Sequence, residues 1–444
     1  MSFALFIISA FILLLLIWNY PLTGIYLTIF FSFFIDWSTE ELGLFPHYYT
    51  WVIEFLICVL AVRILYPCMI KKKFSNSHGI LKYALIIVLI GTITSLINGY
   101  PLFRILLGIR PFFKYIVFFL IIINIPINKS LKPLLWFMFV LIIIQLPIVL
   151  WQFFILDLRT DLATGSLRTS GIGMILEISM ICIFSRLFLD EKKSILYILI
   201  IMSMFIFPII GESKAFFLFL PIIYLFSFRK QIYLSPFSTT VLLTVMVLVF
   251  SFAIKMYGEI PGNVTNLKQT IYNPSMLVEN EGYAFSTLGR IQTIASANEK
   301  IHRDFFTTLF GFGIGSKILT ASEIYSSTKT SFTRVTNLTY LENIIYELGY
   351  IGIILFFLFK FKIAVITLNI NKIATDPFWE IISSVFVGII LLYVISIFYT
   401  NITNDIAQCF FWSLFGCIIH NNKRDIIHLR ISKLVQTTNG NLNN

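Results

Sequence analysis

Long apolar runs, separated by short polar or charged stretches, make up most of the chain. A helix that crosses a membrane needs about 20 predominantly apolar residues in succession. About thirteen runs meet or approach that length, and we predict a membrane-spanning helix in each. The runs are 2–18, 22–37, 48–67, 79–98, 110–126, 134–156, 171–189, 194–211, 214–228, 238–257, 340–361, 378–399 and 405–420. The first two are short, so one of them could be a partial or re-entrant span.

The composition supports a membrane protein. Of the 444 residues, 58% are hydrophobic and 12% are charged, and the mean hydropathy is +0.89. Soluble domains carry roughly 25% charged residues, so this chain is too apolar for water. We therefore predict an all-α polytopic membrane protein with about 12–13 transmembrane helices. Its five cysteines show no spacing typical of a metal site or a disulfide framework, and we predict no metal.

The loops between the apolar runs form two sets that alternate along the chain. One set is basic or mixed and comprises 71–78, 127–133, 190–194, 228–230, 360–372 and 421–433. The other set comprises 38–47, 99–109, 157–170, 211–214, 258–338 and 400–404. Basic loops mark the cytoplasmic side, so we place the second set on the extracytoplasmic side. The net charge of +11 is then explained by cytoplasmic loops, and we predict no nucleic-acid partner.

This alternation divides the chain into four regions. They are 1–257 and 339–420, the two parts of a transmembrane helix bundle, 258–338, a large extracytoplasmic loop, and 421–444, a basic cytoplasmic tail. Within the large loop, "LGRIQTIASANEKIHRDFF" has the apolar spacing of a helix. The glycines of "LFGFGIGSK" predict where that helical stretch ends.

Outer loops and helix ends normally contain few basic residues. Here they carry Arg104, Arg110, Lys114, Arg159, Arg168, Lys214, Arg290, Lys300 and Arg303. Any one of these side chains could simply reach lipid phosphates at the membrane surface. Because so many come from separate helix ends, we favour a shared anionic ligand, which Arg and Lys bind through phosphate oxygens.

Two of these helix ends are predicted in more detail. Arg110 and Lys114 are four residues apart and share a helix face. Pro111 is typical of a first helical turn, so we predict that a helix begins at Arg110. Helices beginning at Arg110 and Lys214 would add amide donors to the same ligand. We therefore predict an outward-facing cationic cavity that suits a phosphate-bearing lipid.

The stretch "NLTYLENIIYELGYIG" (337–352) places two carboxylates where the large loop meets an apolar run. Thr339 and Glu342 have the spacing of a capping box. Glu347 lies a turn and a half further on, roughly 140° around the helix from Glu342, so the two do not form an acid–base pair. Gly349 and Gly352 would allow close helix approach.

Four motifs follow one another along the chain. Arg168 begins "RTSG" before a helix, and Lys214 lies in "GESKAFF". Gly289 and Arg290 open an amphipathic helix that ends in "FGFGIG" (310–315), and the stretch 337–352 comes last. In this order the motifs resemble the O-antigen polymerase and O-antigen ligase superfamily of bacterial envelope glycosyltransferases, which has an arginine where this chain has Lys214. The resemblance spans about residues 80–420, although the motifs cover a small part of it.

One departure from the family bears on the activity. The ligases have a histidine where this chain has Asn337, and an amide cannot act as a general base. The resemblance therefore favours a polymerase that joins oligosaccharide repeat units carried on undecaprenyl diphosphate, at the outer face of the bacterial cytoplasmic (inner) membrane. The product would be O-antigen or a capsular or exopolysaccharide. The lipid-linked substrate is already activated, so neither a nucleotide nor another cofactor is expected.

The resemblance and the outer cations together give a candidate site. Its catalytic residues would be Arg290, Lys214, Arg168, Glu347 and Asn337, and its substrate-binding residues Arg110, Lys114, Arg104, Arg159, Glu212, Arg303 and Tyr340. The choice of a general base stays open among Glu212, Asp304 and Glu347. Expected partners are the lipid-linked oligosaccharide, membrane lipids and a chain-length regulator protein.

Two other functions stay open from the sequence. A ligase would use the same chemistry but transfer the glycan to a lipid A core. A transporter of lipid-linked oligosaccharides is the other alternative. Transporters often carry internal repeats and ionisable residues near the middle of the membrane, whereas this sequence has no visible repeat and one dominant outer loop.

Overall fold

A computed structural model describes residues 3–71, 79–126, 130–158, 163–167, 169–190, 194–211, 213–234, 240, 244, 290–317 and 339–442. These residues form helices joined by turns, and no strand occurs among them. The α-helices are α1 (Phe3–Asn19), α2 (Pro21–Asp36), α3 (Val52–Leu60), α4 (Tyr66–Ile70), α5 (Ile80–Ile97), α6 (Leu102–Asn124), α7 (Lys132–Ile143), α8 (Gln145–Phe154), α9 (Ser170–Asp190), α10 (Ile195–Met204), α11 (Ile206–Ile210), α12 (Lys214–Leu234), α13 (Arg290–Ile301), α14 (Phe305–Phe310), α15 (Tyr340–Ile373), α16 (Pro377–Ser396) and α17 (Asp405–Leu442). Short π-helical (Trp37–Glu41, Ala61–Leu65) and 3-10 (His47–Trp51, Gly165–Leu167) segments extend or link them.

Eight helical segments in the described part of the chain are long and apolar enough to cross a membrane. They are Pro21–Glu41, Tyr48–Ile70, Ile80–Ile97, Leu102–Asn124, Lys132–Phe154, Ser170–Leu189, Tyr340–Ile373 and Pro377–Ser396. Shorter apolar helices cover Ile195–Ile210 and Ala215–Phe228. The predicted all-α polytopic membrane protein is confirmed. The predicted span 238–257 lies outside the described residues apart from 240 and 244.

The spans differ in how far neighbouring helices surround them. In α9, 89% of the most apolar window is buried, and in α16 the fraction is 78%, whereas in α5 it is 33%. Helices α9 and α16 therefore form the centre of the bundle, and α5 lies at its edge. Stacked aromatic rings join α17 to α6 and α16. The ring of Phe415 in α17 lies 5.1 Å from that of Phe119 in α6 and 5.5 Å from that of Phe386 in α16. Their apolar surface is buried against protein, with ring offsets typical of aromatic packing.

Helix α6 begins earlier than its sequence predicts. Pro101 precedes its first residue, Leu102, and Pro111 lies inside the helix. The prediction that a helix begins at Arg110 is therefore wrong. A proline leaves one carbonyl of the preceding turn without its usual donor, and membrane helices tolerate this where neighbours supply partners. Arg110 lies two turns into the helix, so its amide is not a free donor for a ligand, whereas Lys214 does begin α12.

Helix α15 folds back on itself at Gly349. This glycine has φ 60° and ψ −159°, which no α-helix contains. The rings of Tyr340 and Phe356 are 5.6 Å apart, although a straight helix would separate residues sixteen apart by about 24 Å. The predicted span 340–361 is therefore not one continuous helix. It consists of a short first arm, 340–348, which packs alongside the beginning of a long second arm, 350–373.

Candidate functional site

The segment Gly311–Lys317, which we call the glycine loop, follows α14 and packs against α5, α6 and α15. Gly313 has φ 97°, and a Cβ there would lie 2.4 Å from the amide nitrogen of Ser95 in α5. No other residue type fits this position without moving the backbone. The Ser95 hydroxyl also donates to the carbonyl of Ile314 at 2.8 Å. The helical stretch predicted before these glycines is not continuous, because α13 ends at Ile301 and α14 begins at Phe305. Its predicted end at the glycines is confirmed, since α14 ends at Phe310.

The glycine loop supplies hydrogen-bond donors to the bend in α15. The amide of Phe312 donates to the Tyr346 carbonyl at 2.9 Å, and the amide of Gly313 donates to the Glu347 carbonyl at 2.8 Å. The Glu347 carboxylate accepts from the amide of Gly315 at 3.1 Å. A break in a membrane helix needs such replacement partners for its backbone. Glu347, which we predicted to be catalytic, therefore forms a structural hydrogen bond between the glycine loop and the bend in α15.

Arg104, predicted to bind substrate, holds the other side of the glycine loop. Its Nε donates to the carbonyl of Gly315 at 2.9 Å, and its Nη2 donates to the carbonyl of Ser316 at 2.6 Å. The guanidinium lies over the ring of Tyr100 at 4.6 Å. These contacts tie the first turn of α6 to the loop.

Lys317 ends the glycine loop and forms a buried ion pair. Its Nζ lies 2.6 Å from Oε1 of Glu342 and 2.7 Å from Oδ1 of Asn343. The side chains of Lys317 and Glu342 are only 8% and 5% exposed. Burial lowers the pKa of Lys317, and the nearby charges of Glu342 and Glu347 oppose that effect.

The capping box at the start of α15 is half formed. Thr339 Oγ1 accepts from the amide of Glu342 at 3.2 Å, as the sequence predicts. The Glu342 carboxylate pairs with Lys317 instead of returning to the helix end. The sequence contains no local signal for this choice, because Lys317 lies 25 residues upstream.

A second group of charges joins α3, α6 and α17. Glu54 Oε1 accepts from Arg110 Nε at 2.7 Å and from Lys114 Nζ at 3.0 Å. Lys114 Nζ also lies 2.6 Å from Asp405 Oδ2, and its side chain is 7% exposed. The guanidinium of Arg110 stacks 4.0 Å from the ring of Trp51. Arg110 and Lys114 do share a face, and both are paired with acidic side chains of the protein.

A cavity with unpartnered polar groups lies between α9 and the turn before α12. Its empty volume is about 240 Å³, and its walls are Ala163, Thr164, Leu167, Ser170, Gly173, Glu177, Phe207, Pro208, Gly211 and Ser213. The Glu177 side chain is 4% exposed. Among the described residues, neither its Oε2 nor the hydroxyl of Ser213 has a hydrogen-bond partner. A buried carboxylate oxygen in this state is costly, so its presence beside a cavity indicates a site for a ligand.

Residues of two sequence motifs line part of this cavity. Leu167 and Ser170 flank Arg168 on either side, and Gly211 and Ser213 do the same for Glu212. The backbone thus brings "RTSG" and "GESK" to one cavity, although 44 residues separate Arg168 from Glu212 in the chain. Gly171 also lies against Thr400 after α16, where a Cβ would be 2.6 Å from the threonine side chain.

The remaining predicted residues fall into three groups. Arg159, Arg168, Glu212 and Asn337 lie outside the described residues, as do the side chains of Lys214 and Arg290, whose backbones begin α12 and α13. Arg303 is exposed, 5.7 Å from the Phe312 ring, and Asp304, an open choice for the base, caps α14 by accepting from the Thr307 amide at 2.7 Å. Tyr340 lines a different cavity, near Lys360.

The sequence analysis did not name five ionisable residues that are buried or form ion pairs in the structure. They are Glu54, Glu177, Lys317, Lys360 and Asp405. Four of them lie within or at the end of an apolar run, and Lys317 follows the glycines directly. Ionisable residues in membrane helices are rare and usually functional or paired. That rule would have selected Glu54, Glu177 and Lys360 from the sequence without the structure.

Comparison with known proteins gives no family for this chain. No protein-family model matches it, and a search of curated proteins finds no match. Among the residues that the structure describes, no three His, Cys, Asp or Glu side chains are grouped so that they could hold a metal ion.

Proposed function

We propose that this protein polymerises lipid-linked oligosaccharide repeat units, and that the reaction takes place at the cavity between α9, α11 and the turn before α12, the Glu177 cavity. The observation that carries the proposal is the meeting of "RTSG" and "GESK" around a buried, unpartnered Glu177. The resemblance of both motifs to the polymerase and ligase superfamily supports the same assignment. The active face would be the extracytoplasmic side of the bacterial cytoplasmic membrane.

The proposed reaction transfers a glycan from one lipid carrier to another. A hydroxyl of the acceptor sugar attacks the anomeric carbon of the donor glycan, a new glycosidic bond forms, and the bond from that carbon to the pyrophosphate oxygen breaks. The departing lipid diphosphate takes the bonding electrons. Arg168, Lys214 and Arg290 would stabilise that charge, which is where fixed cations lower a barrier most.

In this proposal Glu177 would take the proton from the attacking hydroxyl. Glu177 and Ser213 both line the cavity, and Oε2 of Glu177 and the Ser213 hydroxyl have no hydrogen-bond partner among the described residues. A general base must lie within hydrogen-bond reach of the proton that it removes, and a cavity-lining carboxylate meets that condition for a bound hydroxyl. Glu177 is therefore our candidate base in place of Glu212, Asp304 and Glu347.

The glycine loop would fix the position of Arg290 indirectly. Arg290 begins α13, which packs on α15, where the Tyr350 hydroxyl donates to Asn298 Oδ1 at 2.6 Å. Ala297 and Ile301 of α13 are buried. Helices α13 and α14 lead directly into the glycine loop, so the bend at Gly349 and the start of α13 belong to one packed unit.

The test is the surface polysaccharide of cells that lack the gene and carry a variant copy. Lys214→Ala and Arg290→Ala should each replace the polymer ladder with single repeats on a gel, with unchanged protein on an immunoblot. Lys372→Ala is the matched control, because Lys372 is an exposed cation at the far end of α15. A normal ladder from both variants would remove these residues from the site, and loss of all attached glycan would indicate a ligase.

A further inference from the structure

Lys360 is a buried cation with no acidic partner. It lies in the long arm of α15, eleven residues and about 16 Å along the helix from Gly349. Lys360 is only 4% exposed. Among the described residues no carboxylate acts on its ammonium group. Two other lysines with buried side chains, Lys114 and Lys317, each contact a carboxylate at 2.6 Å.

Aromatic rings surround the ammonium group instead. The Lys360 Nζ lies 3.8 Å from the centre of the Phe411 ring, 5.3 Å from that of Tyr393 and 5.6 Å from that of Phe356. Cation–π contacts stabilise an ammonium only partly once it has lost its water. Ionisable side chains inside membrane helices usually mark function, so Lys360 is a candidate group for binding a ligand.

Lys360 is one of the residues that line a cavity with mainly apolar walls. The cavity has an empty volume of about 370 Å³ and is lined by Pro111, Phe112, Tyr340, Phe356, Phe359, Lys360, Ile402, Thr403, Gln408 and Trp412. Hydrocarbon fits the ring-lined walls, and an anion fits the ammonium.

Other donors at this cavity are already used. The amides of Tyr340 and Leu341 donate to the carbonyls of Thr400 and Ile397 at 3.2 and 3.0 Å. The Gln408 amide group donates to the Ile402 carbonyl at 2.7 Å. The start of α15 therefore adds no free amide from these residues, and the charge for an anionic ligand comes from Lys360.

We propose that the Lys360 cavity binds a phosphate-type anion, carried on an apolar chain that packs against Phe112, Phe356 and Trp412. The site is separate from the cavity at Glu177, and it does not depend on the proposed polymerase activity. A lipid headgroup and a free phosphate ion share the chemistry that Lys360 recognises. The apolar walls favour the lipid source, because a free ion would gain nothing from them.

The test measures thermal unfolding of the full-length purified protein in a nonionic detergent, titrated with dodecyl phosphate, inorganic phosphate or dodecanol. A ligand that binds only the folded state raises the melting temperature as its concentration rises. Dodecyl phosphate should stabilise the wild-type protein, and Lys360→Met should raise the half-maximal concentration about tenfold to a hundredfold. Lys362→Met is the matched control, since it lies about 200° around the same helix, and it should respond as the wild type does.

A second variant keeps the proposal testable if Lys360→Met fails to fold. Thr403→Tyr fills the cavity while leaving the ammonium in place, and it should also abolish the response to dodecyl phosphate. A Lys360-dependent response to inorganic phosphate as well would support the anion site and assign it to a free ion. Equal responses of the wild type and Lys360→Met, or no response to any anion, would overturn the proposal.

Discussion

The charged side chains of the glycine-loop region and of the Glu177 cavity are satisfied to different degrees, although Ser316 Oγ and Glu342 Oε2 at the loop also have no hydrogen-bond partner among the described residues. Around the loop, Lys317, Arg104 and Glu347 are bonded to carboxylates or backbone groups within 3.1 Å. At the cavity, Glu177 and Ser213 have no partner among the described residues. A paired group stabilises an arrangement, whereas an unpaired one has binding capacity left for a ligand. Charge at a helix end is thus a weak guide to function until its partners are known.

The largest expected effect is at Glu177, and it concerns activity. Glu177→Gln keeps the shape of the side chain but removes the base, and general base catalysis typically contributes about 10²–10⁴-fold. Polymer formation should fall by that factor when lipid-linked repeats are incubated with the purified protein, while the melting temperature stays within a few degrees. Unchanged polymer formation would show that the proton is taken elsewhere. Glu347→Gln is the matched comparison, since that carboxylate accepts from the Gly315 amide, and it should affect stability more than rate.

The next effect concerns stability in the network that Lys114 forms with Glu54 and Asp405. Lys114→Met leaves Glu54 and Asp405 without the ammonium that both contact, and breaking a buried pair in this way costs about 3–5 kcal/mol. The melting temperature should fall sharply. Lys132→Met is the control, because Lys132 pairs with Asp376 at 3.0 Å but is 37% exposed, and exposed pairs contribute about 0–1 kcal/mol. Equal falls in melting temperature in both variants would mean that the Lys114 pairs stabilise the protein no more than the exposed Lys132 pair does.

The smallest of these effects is expected at the bend in α15. Gly349→Ala must hold an alanine at φ 60°, and such backbone strain costs about 1–3 kcal/mol. A Cβ at this position would also lie 2.5 Å from the Leu309 carbonyl oxygen, so the loop has to shift. We expect lower folded yield and weaker protection of the glycine loop in hydrogen exchange. Gly99 also has a positive φ, but a Cβ there would meet no atom within 4 Å. The variant Gly99→Ala therefore separates the cost of backbone strain from the cost of the close contact.

The sequence by itself determined the class of the protein and most of its helices. Apolar runs of about 20 residues have few stable alternatives to membrane helices, because the backbone must satisfy its own hydrogen bonds in lipid. The helix at Arg290–Ile301 also followed from local spacing, as did the end of α14 before Gly311, whereas the break between the two helices did not. The start of α6 did not, since Pro111 is compatible with a first turn and with a helix interior, and only packing decides between them.

The tertiary structure decided which charges are paired. Arg104 reaches carbonyls 211 and 212 residues away, and Lys114 meets a carboxylate 291 residues away. It also decided that α15 bends, because a glycine in a helical pattern permits a turn without requiring one. Local sequence fixes the period and length of a helix. Ion pairs and bends depend on which neighbours the packed bundle brings within about 3 Å, the range over which hydrogen bonds act.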